Sequence, residues 1–402
     1  MRTTIIILTL LLSCLTGTHA QVTDKSPQLN FSNGLGIVTP DSTFSVNFRF
    51  RTQLRASYNT NSTSDFSASE IEARVRRLRL RMEGFVVNPK FNYYIQLSFS
   101  RGDMDWVDND NSAVNSSPNV VRDAVFIYKP NSHLTFTFGQ TKLPGNRQRV
   151  VSSGDLQFAD RSIVNSTFNI DRDFGLQCSY QNNISGLNYV VKGAVSSGEG
   201  RNSVLSDAGL AYTGRVEILP FGKFTNKGDY FEGDLEREKT PKLSVAGGYH
   251  YNENAQRTAG TLGKDLYEKR NLSAVIVDVL FKYQGFALSA EYVTRDTKSP
   301  ITVNSTGGER IIYAGVGNMA QMSYLFKNNF EIAARYAIVK PYSSINMEEP
   351  QKQEMGIGVT KYMRKHRVKF QGQLFYYKND NLATNSTIND YFNALFQVEI
   401  GI

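Results

Sequence analysis

Residues 74 to 81 read Arg-Val-Arg-Arg-Leu-Arg-Leu-Arg, five arginines interleaved with aliphatic residues. Side chains on a β-strand point alternately to opposite faces. One face then carries Ala73, Val75, Leu78, Leu80 and Met82, and the other a column of guanidinium groups. Few folds accept such a strand. Basic arms that bind nucleic acid and localisation signals rarely interleave their charges with aliphatics, so nucleic acid is not the expected partner. A soluble sandwich or solenoid would bury the aliphatic face, but gives the arginine column no purpose, and the chain has no fixed-period repeat. A membrane barrel, apolar toward lipid and cationic toward a water-filled interior, accommodates both faces.

The same period-two pattern recurs along the chain. Phe44, Val46, Phe48, Phe50, Leu54 and Ala56 alternate with Ser45, Asn47, Arg49, Arg51, Gln53 and Arg55. Further alternating runs lie at 91–99, 134–138, 286–292, 367–376 and 392–402. Segments of about ten residues span a bilayer when tilted, and no sustained helical period competes with them. The fold class is therefore all-β, a transmembrane antiparallel β-barrel of about sixteen strands. After residue 20, no stretch approaches eighteen consecutive apolar residues, which excludes transmembrane helices.

Short turns such as 88–90, 130–132, 181–186, 327–329 and 364–366 alternate with long polar connections. The long ones are expected near 59–70, 101–121, 141–171, 196–207, 253–270, 297–309, 341–352 and 379–388. In outer-membrane barrels the short turns are periplasmic and the long loops extracellular. The stretch 218–241 breaks this rhythm by being long where a short turn is due, and is read as a periplasmic excursion.

Residues 1–20 have the form of a secretory signal: Arg2, an apolar run from Ile5 to Leu12, and Thr18-His19-Ala20 before Gln21. Residues 21–42 are a lead-in and 43–402 the barrel. Removing the signal takes one of 45 basic residues and none of the 37 acidic ones, leaving a charge of +7. Only Cys178 of the two cysteines then remains, so no intramolecular disulfide staples the fold.

Several segments, taken in order, resemble the phosphate-selective porin family. They are Gly34-Leu35-Gly36-Ile37 with Asp41, the run Arg76 to Gly84, Asp123 to Lys129, Gly139 to Gly145, Leu156 to Ser162 and Leu219 to Lys223. The sequence departs from the family pattern by placing Gly145-Asn146 where Phe-Gly commonly follows the proline. The resemblance implies a trimeric sixteen-stranded anion porin of a Gram-negative outer membrane, embedded in outer-membrane lipid. It also implies an inward-folded third loop that forms the constriction.

On this reading the anion pathway is carried by Arg49, Arg51, Arg55, Arg77, Arg79, Arg81 and Lys369. The constriction loop, 142–170, contributes Lys142, Arg147, Arg149, Asp160 and Arg161. Guanidinium forks bind phosphate, sulfate and carboxylates bidentately without deprotonating, and so replace hydration lost in a narrow lumen. Arginines two apart on a strand sit roughly 6–7 Å from each other and repel by about 0.6 kcal/mol even in water. Such a column suits transient anionic partners, and Glu83 is placed to pair with part of it. Parity slips at Arg76-Arg77. A β-bulge there would direct both sets of arginines to the lumen; otherwise Arg74 and Arg76 lie near the extracellular rim.

The expected function is passive uptake of phosphate or other small inorganic or organic anions through a water-filled channel. The alternatives are a barrel with a structural or adhesive role and a barrel hydrolase. An enzyme would need an activated nucleophile or water, and the mature chain offers only His133, His250 and His366, scattered and two of them near short turns. The acidic stretch 103–110 lacks the glycine and closing glutamate of a calcium loop, and the histidines lack zinc spacing. No metal or other cofactor is expected.

Overall fold

Alternating segments become stable in lipid only when every backbone group finds a partner, which requires a sheet without edges. The computed structural model describes residues 27–31, 34–100, 120–203 and 209–402. Sixteen strands form the wall: β1 (Ser45–Thr60), β2 (Ala68–Phe85), β3 (Phe91–Ser98), β4 (Val121–Tyr128), β5 (Leu134–Lys142), β6 (Arg172–Ile184), β7 (Leu187–Ser196) and β8 (Ala211–Leu219). The second half contributes β9 (Lys242–Arg257), β10 (Asp265–Tyr283), β11 (Phe286–Arg295), β12 (Gly315–Leu325), β13 (Phe330–Pro341), β14 (Gln351–Arg364), β15 (Val368–Asn381) and β16 (Ser386–Gly401). Each pairs antiparallel with the next, and β16 returns to β1, with Phe396 opposite Ala56 and Gly401 opposite Arg51. The sixteen-stranded antiparallel barrel expected from the alternation is the fold.

Alternation decides which side chain meets lipid. Phe48, Phe50 and Leu54 on β1, Leu78 and Leu80 on β2, and Met355, Ile357 and Val359 on β14 lie exposed on the outer surface. Gln53, Arg55, Arg77, Arg79 and Glu354 point inward and are buried. A continuous apolar outside with polar residues within is the inverse of a soluble protein, and suits a bilayer.

The lead-in strand Leu35–Val38 pairs with Ser45–Phe48 of β1, occupying the edge that β16 leaves free beyond Gly401. Residues 1–26 and the acidic stretch 103–110 lie outside the described residues. Three expected long loops are shorter than the sequence suggested: β1 runs to Thr60 before β2 begins at Ala68, β9 to Arg257 before β10 begins at Asp265, and β15 to Asn381 before β16 begins at Ser386. The reason is that backbone pairing continues past the apolar band. Lys378 faces Asp390 and Asn379 faces Asn389 in register, so polar side chains extend the ladder outside the membrane.

A bulge does occur in β2. Gln53 pairs with Arg77 but the next residue, Leu54, pairs with Val75, leaving Arg76 as the extra residue. Parity is reset there, and Arg74 stands opposite the inward-facing Arg55. Arg76 lines an internal cavity, whereas Arg74 is half exposed and pairs with Glu72.

Among the described residues, loop 143–171 and segment 220–241 fold into the barrel. Loop 143–171 carries the short helices Arg147–Val150 and Ile163–Phe168, and its Leu143, Leu156, Phe158, Val164 and Phe168 are at most 2% exposed. Phe158 packs edge-on against Phe375 of β15 at 5.1 Å, over Gly358 of β14, where a Cβ would come within 2.6 Å of its ring. Burying such a phenylalanine contributes about 1.5–3 kcal/mol, which helps hold the loop inside. The second inward connection is 220–241. It begins at the short-turn end, as expected of a periplasmic segment, but turns back into the barrel, with Glu232, Asp234 and Glu238 buried.

Candidate solute pathway

The inward parity of β1 and β2 places two arginine-bearing strands side by side. Arg49 pairs with Arg81 and Arg51 with Arg79 in register, so each rung carries two guanidinium groups. Loop 143–171 crosses in front of them. Arg51 donates to the hydroxyls of Ser152 (3.2 Å) and Ser153 (2.8 Å), Arg79 donates to Ser153 (2.9 Å), and the Gln53 amide donates to the Ser153 carbonyl (3.1 Å). The approach is close enough at Gly154 that a Cβ there would lie 1.8 Å from an Arg51 nitrogen and displace its guanidinium.

Between the loop and the β1–β6 wall lies a cavity of about 450 Å³. Twelve arginines and one lysine line it against four carboxylates, a surplus of nine positive charges. Of the residues singled out in the sequence, Arg49, Arg51, Arg77, Arg79, Arg81, Lys142, Arg149 and Arg161 line this space. A second cavity of about 500 Å³ shares Arg81 and Tyr94 with the first, and extends along β1–β4 past Asn47 and Glu83. Glu83 forms ion pairs with Arg81 and, at 3.7 Å, with Arg49.

Four of the singled-out residues do not line the cavity. Lys369 is fully buried and donates to the carbonyls of Gly154 (2.9 Å) and Leu156 (2.7 Å), with Glu399 at 3.5 Å. Arg147 is clamped by Asp278 (2.6 Å) and Ser244 (2.8 Å) on the opposite wall. Arg55 and Asp160 pair with each other at 2.6 Å. Burial opposes ionisation of Asp160, but Arg55 and Arg77, the latter at 3.5 Å, hold its carboxyl well below the usual carboxylate range. These four residues fix the loop to the wall.

The loop's own cations are likewise tethered. Lys142 donates to the carbonyls of Val150 (2.9 Å) and Val151 (3.1 Å), and Arg161 to those of Gln148 (2.5 Å) and Val151 (2.7 Å). Arg149 pairs with Asp171 through its Nε at 2.7 Å. Gly145-Asn146, the departure from the family motif, also ties the loop down. The Asn146 amide donates to Glu291 at 3.2 Å, and the Gly145 carbonyl accepts from Arg215 at 3.2 Å.

Sequence reasoning missed Arg122, Arg172 and Arg201, all of which line the cavity. Arg172 meets Asp123 bidentately at 2.9 and 3.1 Å. Arg122 and Arg172 each stand beside an aspartate at the start of a strand, which disguised them as local ion pairs. Inward parity on β4 and β6 was the signal available. Arg335 on β13 pairs with Glu354 of the neighbouring β14 at 2.6 Å.

A closed barrel with a lipid-compatible exterior, an inward-folded loop and internal cavities of about 450 and 500 Å³ is an outer-membrane porin, located in the outer membrane of a Gram-negative bacterium. Solved porins share the fold. OmpT of Vibrio cholerae, in a form described as a trimer, superposes with a TM-score of 0.52 at 12% identity, covering 90% of this chain and 100% of that one. The channel DcaP of Acinetobacter baumannii gives 0.53 at 12% (91% and 99% covered), and OprB of Pseudomonas putida 0.56 at 9% (90% and 95%). No curated protein sequence matches the chain. The family model for phosphate-selective porins O and P matches residues 46–393, and the chain belongs to that family. The family is one of channels.

Proposed function

We propose that this porin conducts small anions passively, with preference over cations, along the cavity between β1–β6 and loop 143–171. The supporting observation is the surplus of nine positive charges around that cavity. Arg49 and Arg81 at one level and Arg51 and Arg79 at the next, with Arg77 beyond them, form the main contacts. Phosphate, sulfate or a carboxylate entering the cavity exchanges water for guanidinium forks. Several of these arginines also hold loop hydroxyls or carboxylates, so each anion contact is shallow, and an ion that enters can leave. The bound state is a series of weak sites rather than one pocket. Arg55, Lys369, Arg147 and Asp160 position the loop. The assembly is a homotrimer, by likeness to the trimeric OmpT form.

Reversal potentials of the purified protein in planar bilayers, under a salt gradient, test this reading. Anion preference is expected, reduced in the combined R49Q/R51Q/R79Q/R81Q variant, with phosphate competing against chloride current. Cation preference in the wild type would refute the function. Anion preference untouched by the four substitutions would refute the assigned residues.

A further inference from the structure

The inward segment 220–241 is the least expected part of the molecule. From its place between β8 and β9 it reaches three other periplasmic turns. Asp234 accepts from the Gly285 amide at 2.7 Å, Arg237 donates to the Leu325 carbonyl at 2.9 Å, and the Glu232 carbonyl receives the His366 ring at 3.0 Å. Lys282 of β10, 1% exposed, holds the middle of the segment by donating to the carbonyls of Gly228 (2.6 Å), Phe231 (2.8 Å) and Gly233 (2.5 Å). The segment also supports loop 143–171 from the periplasmic side. The Glu232 amide donates to the Asp155 carbonyl and its carboxylate accepts from the Gln157 amide, both at 2.8 Å.

Behind these contacts lies a wall of different charge. Glu217, Asp278, Glu291, Glu331 and Glu354, on β8, β10, β11, β13 and β14, point inward and are at most 3% exposed. Arg215, Lys282, Arg295 and Arg335 share that wall, so it is close to balanced, unlike the strongly cationic β1–β6 side. The segment covers part of it directly: Tyr230 donates to Glu217 at 3.1 Å, and a Cβ on Gly233 would lie 2.7 Å from a Glu331 oxygen. One gap between segment, loop and wall, lined by Arg147, Gln157, Phe231, Glu232 and Ser289, measures about 10 Å³, against about 450 Å³ for the cavity on the arginine side.

We propose that segment 220–241 is a selectivity strap, closing the carboxylate-bearing half of the lumen from the periplasm and confining solutes to the cationic half. The strap acts by exclusion, since a pore's selectivity is set by the groups its solutes can reach. Without it, loop 143–171 loses its support at Asp155 and Gln157, and the turn side of the carboxylate wall opens to water. A wider, less anion-selective channel results.

This proposal rests on the anion-preferring function above, and the experiment separates the two. The wild-type reversal potential tests anion preference, and the change on removing the strap tests closure. Replacing 225–238 by a short Gly-Ser turn is expected to raise single-channel conductance roughly twofold and move the anion-to-cation permeability ratio toward one. A folded variant with wild-type conductance and permeability overturns the strap. Lys282→Met covers the case in which the shortened chain does not fold. It keeps the strap's length, cuts its three central anchors, and is expected to add noisy openings to a larger, less selective level. A Lys282→Met channel as quiet and as selective as wild type also overturns the proposal.

Discussion

Replacing Lys369 by methionine distinguishes an anchoring lysine from one that contacts solute. The side chain is wholly buried, and its ammonium joins β15 to the Gly154 and Leu156 carbonyls of the inward loop and to Glu399 of β16. Methionine preserves length and packing but removes the charge. Glu399 keeps the Gln53 amide at 2.9 Å and Arg51 at 3.5 Å, whereas the two loop carbonyls lose a charged donor. Breaking a buried charged contact of this kind costs about 3–5 kcal/mol. At about 1.4 kcal/mol per decade, that shifts the balance between docked and undocked loop by roughly two to three and a half orders of magnitude around residues 154–156. The barrel's own ladder is untouched, so the loss falls on the loop. Single-channel recordings should show added gating noise and higher mean conductance, with loop 143–171 more readily cleaved by protease. The permeability ratio should change less than in R79Q, because Lys369 does not line the cavity. A quiet Lys369→Met channel with strongly reduced anion preference would refute this account and return Lys369 to the pathway.

Three further outcomes are expected. Glu83→Gln releases Arg81 and Arg49, and because a partly exposed ion pair is worth about 0.5–1 kcal/mol, phosphate should inhibit chloride current about twofold to fivefold more tightly; a weaker block would contradict the pairing. Deleting Arg76 removes only the bulged residue and leaves Arg77 opposite Gln53 and Val75 opposite Leu54, so the barrel should still fold. Deleting Arg79 inverts the faces on one side of the deletion, and an arginine turned to mid-bilayer lipid costs about 2–4 kcal/mol; heat-modifiable migration on gels should separate the two variants. Burial, then the neighbouring Lys369, depresses the pKa of His366 well below its usual 6.5, so the unfolded chain takes up more protons as pH falls below that value. Stability present above pH 6.5 should therefore decline on acidification, and thermal melting of His366→Gln should show a shallower decline than wild type.

The barrel was legible because its code is local. Alternation at Phe48 to Arg55, Phe91 to Phe99 and Val368 to Tyr376 reports which face each residue takes without knowledge of any distant partner. Periodicity also exposed the parity slip at Arg76-Arg77 and left two resolutions, since one strand's sequence does not contain its neighbour's register. Strand ends at 253–270 and 379–388 were less legible, because polar residues pair across a ladder as readily as they form loops.

The sequence by itself determined a membrane barrel of about sixteen strands, an apolar exterior and an arginine-bearing wall on β1 and β2. Only the tertiary structure decided which inward cations meet open space. Lys369 and Arg79 both sit on inward faces, yet one is sealed beneath Gly154 and Leu156 and the other lines the cavity. The physical reason is that strand parity distinguishes inside from outside, while the contents of the inside depend on segments far away in sequence. Loop 143–171 and segment 220–241 fill one half of the lumen through contacts to walls on the other strands. Those contacts leave the β1–β6 half open.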